Sequence, residues 1–185
     1  MIKQQLLIID DEKDMLQGLQ RVLGYEFQDV EVDVCSQSRQ ALGLLQDKEH
    51  DLVLLDIRMP EMDGLELLQR IKQLDPWVTV IMMTAYGSIE LAVQSIKQGA
   101  YDFISKPFEM QDLLSLLRKG LERSQLIREN LNLRRHISEQ SGLGRLIGQS
   151  RPIQRLFESI RSIARTEYSV LIRGQSGTGK ELVAR

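Results

Sequence analysis

Leu6-Leu7-Ile8-Ile9-Asp10-Asp11 and Leu52-Val53-Leu54-Leu55-Asp56 decide the fold of this chain. Each is a short apolar run that ends in acid. Each has the length and character of a strand buried on both faces, as in a parallel sheet covered by helices. In open sheets of that kind, ligands bind just beyond the carboxyl ends of the strands. Three carboxylates gathered at one rim repel one another unless a cation joins them. The pattern therefore points to a hard divalent metal and to chemistry on a phosphoryl group.

Strand and helix signals alternate outward from these runs. After the first strand, Met15, Leu19, Val22 and Leu23 fall on one helical face. Val30-Glu31-Val32-Asp33-Val34 alternates as a half-exposed strand should. Ala41, Leu42, Leu44 and Leu45 mark a second helix. Pro60 and Gly64 punctuate a loop after Asp56, and Leu65, Leu67, Leu68 and Ile71 mark a third helix. Residues 78–83 read as a strand. Ile89, Ala92, Val93 and Ile96 mark a fourth helix closed by Gly99, and residues 101–104 read as a fifth strand. A fifth helix begins after Pro107, docked by Leu113, Leu114, Leu116, Leu117 and Leu121. Five β-α units predict an α/β fold, a flavodoxin-like, doubly wound five-stranded parallel sheet. The order 2-1-3-4-5 makes the first and third strands neighbours and brings Asp10, Asp11 and Asp56 together.

Helical character continues beyond residue 120 as an extended linker. Leu126, Asn130, Leu133 and Ile137 form a short heptad stripe with one polar position, the pattern of a dimeric coiled coil. Gly142 and Gly144 end it. Residues 151–165 read as another helix. Val170-Leu171-Ile172 reads as a strand that leads into Gly174-Gln175-Ser176-Gly177-Thr178-Gly179-Lys180.

Bulk properties narrow the choices. The 185 residues are 42% hydrophobic and 27% charged, which suits a globular chain of one domain plus an appendage. No apolar stretch has the length of a membrane span, and the start is not a signal peptide. One cysteine, Cys35, excludes an internal disulfide, and the cytoplasm is the expected compartment. His50 and His136 have no ligand-like spacing. Residues 1–117 carry 10 Lys+Arg against 20 Asp+Glu, whereas residues 118–185 carry 14 against 6, which suggests a boundary near residue 118. The arginines of the basic part are scattered, without interleaved aromatic residues, and read as solvated helix faces rather than a nucleic-acid surface.

Phosphoryl transfer to a carboxylate needs several groups at once. Asp56 supplies the nucleophilic oxygen. Asp10 and Asp11 can hold Mg²⁺, Asp11 by direct ligation, with Asp56 and the backbone carbonyl of Arg58 completing the shell. Thr84, ending the fourth strand, supplies a hydroxyl. Lys106, following the fifth, supplies a fixed cation on the same rim. This transition state is stabilised mostly by positioning and charge, so little else is required.

These residues, with Ile8-Ile9-Asp10-Asp11-Glu12, the run from Leu54 to Gly64, Met83-Thr84-Ala85-Tyr86 and the run from Gly99 to Phe108, make residues 1–120 resemble the receiver domain of bacterial two-component response regulators. The resemblance implies that Asp56 accepts phosphate from a sensor histidine kinase. It also implies that Thr84 and Phe103 form a switch pair, and that Lys106-Pro107 is a cis peptide. The switch repacks the face of the fourth helix, fifth strand and fifth helix, through which, with the linker helix, a homodimer is expected to form.

The glycine-rich run fits a phosphate-binding loop. Its backbone N–H groups would cradle phosphates and Lys180 would reach the outer ones. Glu181 replaces the usual Ser/Thr. With Leu146-Ile147-Gly148-Gln149-Ser150, the segment resembles the start of the AAA+ ATPase domain of NtrC-type activators of sigma-54 RNA polymerase, in which glutamate often follows the lysine. The expected organisation is a receiver over 1–120, a linker over 121–141 and an incomplete ATPase domain over 142–185, poorly ordered or packed on a partner chain. No turnover enzyme is expected: ATP, sigma-54 polymerase and DNA would be engaged only by the complete parent protein. Two other readings remain. A Mg²⁺-dependent phosphohydrolase wants a second acid two residues after the nucleophile, where Arg58 stands. A stand-alone ATP-binding protein wants a second acidic strand, which does not follow.

Overall fold

Aliphatic runs and amphipathic stretches alternate along the chain as β1 (Gln4–Ile9), α1 (Lys13–Glu26), β2 (Val30–Cys35), α2 (Ser38–Asp47), β3 (Leu52–Asp56), α3 (Gly64–Leu74), β4 (Thr79–Ala85), α4 (Ile89–Lys97), β5 (Asp102–Lys106) and α5 (Met110–Gln140). This computed structural model describes residues 3–85 and 89–140, with Leu156, Ser159, Ile160, Ile163, residues 170–174, Lys180 and Val183. The chain divides into two units, Met1–Ile127 and Arg128–Arg185.

The strands form one parallel sheet in the order β2-β1-β3-β4-β5. Successive side chains of a strand point to opposite faces, and both faces here are covered. Leu7, Ile9, Val53, Leu55, Val80 and Met82 meet Leu67, Leu68 and Ile71 of α3 on one side. Leu6, Ile8, Leu52, Leu54, Ile81 and Met83 meet Leu16, Leu19 and Leu23 of α1 and Leu113, Leu117 and Leu121 of α5 on the other. Each enclosed aliphatic side chain contributes about 1.5–3 kcal/mol, so the sheet is a stiff frame for whatever its rim carries.

Local chemistry sets the helix starts. Asp63 caps α3 by accepting from Leu65 N at 3.0 Å. A Cβ on the next residue, Gly64, would collide with the backbone carbonyl of Asp56, so only glycine lets α3 start this close to β3. The base of α5 docks through polar groups. Ser124 Oγ lies 2.8 Å from Asp51 O, 2.7 Å from Thr79 Oγ1 and 2.9 Å from Gly120 O. Arg123 donates to Thr79 Oγ1 at 3.0 Å and lies over the Tyr101 ring.

The second and fourth helices form where their residues mark them, the structure decides which face of each is buried, and one expected strand does not form. On α4, Val93 and Ile96 face outward, 48% and 43% exposed, while Ala92 and Ser95 are buried. The small residues let the helix approach the sheet, and the Ser95 hydroxyl is satisfied by donating to Ala92 O at 2.7 Å. On α2, Leu44 is exposed and Ala41 takes the core position. Val170-Leu171-Ile172 is not a strand. A strand needs a neighbour for its N–H and C=O groups, and none pairs with it among the described residues.

The linker stripe is solvent-facing where described, with Leu126 and Leu133 60% and 61% exposed and Asn130 also exposed. Ile137's side chain, Gly142, Gly144 and most of the predicted helix at 151–165 lie outside the described residues; Leu156, Ser159, Ile160 and Ile163 within it are helical. No helix among the described residues is long and apolar enough to cross a membrane.

Candidate functional site

Register assembles the rim. Ile9 pairs with Leu55, so Asp10, next in the chain, comes abreast of Asp56 at the end of β3. Asp56 pairs with Met83, and Thr84 pairs with Ser105, one residue before Lys106. Thr84 is thus the penultimate residue of β4, and Lys106 is the last of β5.

Asp10, Asp56 and Thr84 are buried, and Lys106 is mostly covered. The Lys106 ammonium bridges the two acids, 2.6 Å from Asp10 Oδ2 and 2.6 Å from Asp56 Oδ1, with Glu12 Oε1 at 3.8 Å. The second oxygen of Asp10 accepts from Glu12 N at 2.9 Å. The backbone N–H of Arg58 lies close enough to the Asp56 carboxylate to lower its pKa. Thr84 Oγ1 donates to Ser105 Oγ across 3.5 Å. The Lys106–Pro107 peptide is cis.

Two carboxylates share one ammonium. Burial pushes the Asp56 carboxyl above the usual range and Asp10 adds repulsion, against the pull of Lys106 and Arg58. Burial disfavours the Lys106 ammonium, but its bonds to Asp10 and Asp56 outweigh that and hold its pKa above the ordinary lysine value. A basic, ion-paired carboxylate with a free lone pair at a rigid rim is suited to attack phosphorus.

The structure brings Asp10, Asp56, Lys106 and Thr84 together. Asp11 is exposed, and no three His, Cys, Asp or Glu side chains among the described residues form a metal cage. The donor chemistry still suits Mg²⁺. Carboxylates and a backbone carbonyl are the hard oxygens it prefers, and the buried pair Asp10 and Asp56 carries one negative charge more than Lys106 neutralises. Phe103 does not belong to the core: it is 39% exposed on β5.

Sequence reading missed several contributors. Glu12 and Ser105 adjoin named residues and could have been found from the strand-end pattern. Ser38, whose hydroxyl donates to Pro60 O at 3.2 Å, and Arg39, paired with Glu61 at 3.4 Å, carry no such signal. In the phosphate-loop segment, the Lys180 ammonium donates to Gly174 O at 2.8 Å. Gln175, Ser176, Gly177, Thr178, Gly179 and Glu181 lie outside the described residues.

Comparison with known proteins agrees with this geometry. The response regulator receiver domain matches residues 6–118, and the sigma-54 interaction domain matches residues 146–185. The transcriptional regulatory protein ZraR of Escherichia coli O157:H7 is 40% identical over 183 residues, covering 97% of this chain and 39% of ZraR, so this chain spans about two fifths of that relative. The crystal structure of NtrX from Brucella abortus in complex with ADP is 36% identical, covers 98% of this chain and 39% of NtrX, and superposes with a TM-score of 0.65. A CheY-like receiver domain protein from Methanospirillum hungatei JF-1 is 32% identical, covering 66% of this chain and 97% of its own, with a TM-score of 0.62. With its five-stranded sheet, its paired acids under one lysine and its following sigma-54 segment, the chain belongs to the response regulator receiver family, in the arrangement of the NtrC-type regulators.

Proposed function

We propose that this chain is the phosphoryl-accepting part of a two-component response regulator that controls a sigma-54-dependent activator. The observation that carries the reading is the Lys106 ammonium held 2.6 Å from both Asp10 and Asp56 at the strand ends. A carboxylate oxygen of Asp56 attacks the phosphorus of a phosphohistidine on a sensor kinase. The new O–P bond forms as the P–N bond breaks, and the imidazole leaves with the electron pair. Lys106 then faces the phosphoryl oxygens, where it stabilises the charge that develops in transfer. Asp10, Asp11, Asp56 and the Arg58 carbonyl would hold Mg²⁺, which offsets repulsion between the attacking carboxylate and the phosphoryl group.

The response runs outward through the Thr84 hydroxyl, which exchanges Ser105 for a phosphoryl oxygen, and through Phe103, which turns inward behind it. Val93, Ile96 and Phe103 are exposed apolar residues on α4 and β5, and they support this face, with α5 and the stripe of Leu126 and Leu133, as the surface on which a homodimer changes its pairing. In a whole regulator the segment around Gly174 and Lys180 binds ATP, and further regions engage sigma-54 polymerase and DNA in the cytoplasm.

The test is light-scattering mass and ¹⁵N chemical shifts with and without beryllofluoride plus Mg²⁺. The reading predicts a change that Asp56→Ala abolishes. An unchanged wild-type spectrum sinks it.

A further inference from the structure

Two loops carry the groups around Asp56: residues 10–12 after β1 and residues 57–63 after β3. The turn from β2 into α2 touches both. Asp10 N donates to Cys35 O at 3.2 Å, and Cys35 Sγ donates to Gln37 O at 3.2 Å. From the first turn of α2, Ser38 Oγ donates to Pro60 O at 3.2 Å, and Arg39 Nε pairs with Glu61 Oε2 at 3.4 Å.

Ser38 is unusual for a serine at a helix start. Such residues ordinarily serve the unpaired N–H groups of their own helix. Here Gln37 is the cap residue and makes no side-chain cap bond, while the Ser38 hydroxyl, 2% exposed, is spent on another loop. Its acceptor is a pivot. Pro60 O also accepts from Met62 N at 2.9 Å, closing a tight turn with Glu61 at φ 71°. A residue other than glycine stays in that left-handed region only when surrounding bonds hold it there. Pro60 in turn restricts Met59 to extended backbone, and the loop closes on the residue next to Asp56, where Gly64 N donates to Ile57 O at 2.8 Å.

We propose that Ser38 is a positioning residue for the phosphoryl-accepting site. Through Pro60 it fixes residues 57–63, and so fixes the Arg58 backbone beside Asp56. The β2–α2 turn is then a strut between the two acid-bearing loops. This rests on the reading of Asp56 as the acceptor.

The experiment compares wild type, Ser38→Ala, Ser38→Thr and Arg39→Ala. Affinity for beryllofluoride with Mg²⁺, the acetyl phosphate concentration giving half-maximal phosphorylation rate, the Arg58 amide resonance and the thermal midpoint are measured. Ser38→Ala is expected to weaken beryllofluoride binding about fivefold, the size of one lost hydrogen bond, to raise the half-maximal acetyl phosphate concentration and to shift the Arg58 amide. Ser38→Thr, which keeps the hydroxyl, is expected to restore all three. Arg39→Ala, at an exposed position, moves the Arg58 amide in the same direction by less. Wild-type affinity in Ser38→Ala with an unmoved Arg58 amide overturns the inference and leaves the Asp56 reading standing. A loss that follows thermal stability alone and is not restored by threonine also overturns it. If Ser38→Ala does not fold, an unmoved Arg58 amide in Arg39→Ala overturns it. A folded wild type that does not bind beryllofluoride overturns both readings.

Discussion

The two ends of the sheet hold two polar clusters of opposite character. Where the strands finish, Asp10 and Asp56 share the single ammonium of Lys106. Where they begin, Thr79 and Ser124 bond to each other and to backbone carbonyls, Arg123 donates to Thr79, and the Asp51 carboxylate accepts from Gln5 N at 2.8 Å. Both clusters are enclosed, but the charged groups of the second, Arg123 and Asp51, bond to Thr79 and to Gln5 N, whereas the first leaves two carboxylates to one ammonium. A buried network of satisfied hydrogen bonds has nothing to gain from rearrangement. A buried excess of negative charge gains whenever a cation arrives. The finishing rim is therefore built to respond and the starting rim to hold α5 in place.

The sharpest way to break this contrast is at Asp56. Asp56→Ala is expected to reduce phosphoryl uptake from acetyl phosphate to background, read by intact mass, whereas Ser124→Ala retains it. Equal uptake in both variants removes the distinction between the rims. Lys106→Met comes next. It leaves two buried carboxylates uncompensated and is expected to cost about 3 kcal/mol in urea denaturation at neutral pH. Burial already pushes the Asp56 carboxyl up, and losing the ammonium pushes it further. The penalty therefore grows as pH rises through that folded value and fades at acid pH, where Asp56 is protonated. A loss of equal size at pH 4 and pH 7 contradicts the charge account.

At the starting rim, Ser124→Ala is expected to cost about 1–2 kcal/mol by leaving a buried acceptor less well served. No titrating group is removed, so the cost is flat between pH 5 and 8 in the same assay. The smallest effect belongs to Lys72. Its ammonium donates to Val78 O at 2.5 Å, and its pKa falls to about 8, chiefly through burial and further through Arg123, against the pull of Asp75. A depressed lysine binds fewer protons folded than unfolded, so wild-type stability rises as pH climbs from about 8 toward 10.5. Lys72→Met is therefore expected to be more stable at pH 7, by no more than about 1 kcal/mol because the amine still meets water. Thermal midpoints across that pH range check that the gap closes, and a constant gap contradicts the assignment.

Much of the responding rim was legible in the chain because its residues sit at strand ends. Asp10, Asp56, Thr84 and Lys106 follow apolar runs, and parallel strands bring like ends together. The holding rim was not legible. Ser124 lies 45 residues from Thr79 and 73 from Asp51, and its place within α5 reads as an ordinary helical serine. The same holds for Ser38, 22 residues from Pro60. The buried face of α4 was not legible for a different reason. Val93 and Ile96 make a better apolar stripe than Ala92 and Ser95, but the sheet accepted the stripe that allowed closer approach.

By itself the sequence determined the five β-α units, the parallel order and the acids at the strand ends. The units follow from periodicity, from burial of aliphatic runs and from the few ways a chain can cover both faces of a sheet, and the order followed from gathering the acids at one rim. Tertiary structure alone decided that Lys106 bridges Asp10 and Asp56, that Phe103 starts outside the core, and that Ser38 reaches across to Pro60. Those outcomes depend on contacts a few ångströms long between distant residues. Such contacts are set by packing and by competition for hydrogen-bond partners, which a local pattern of residues does not encode.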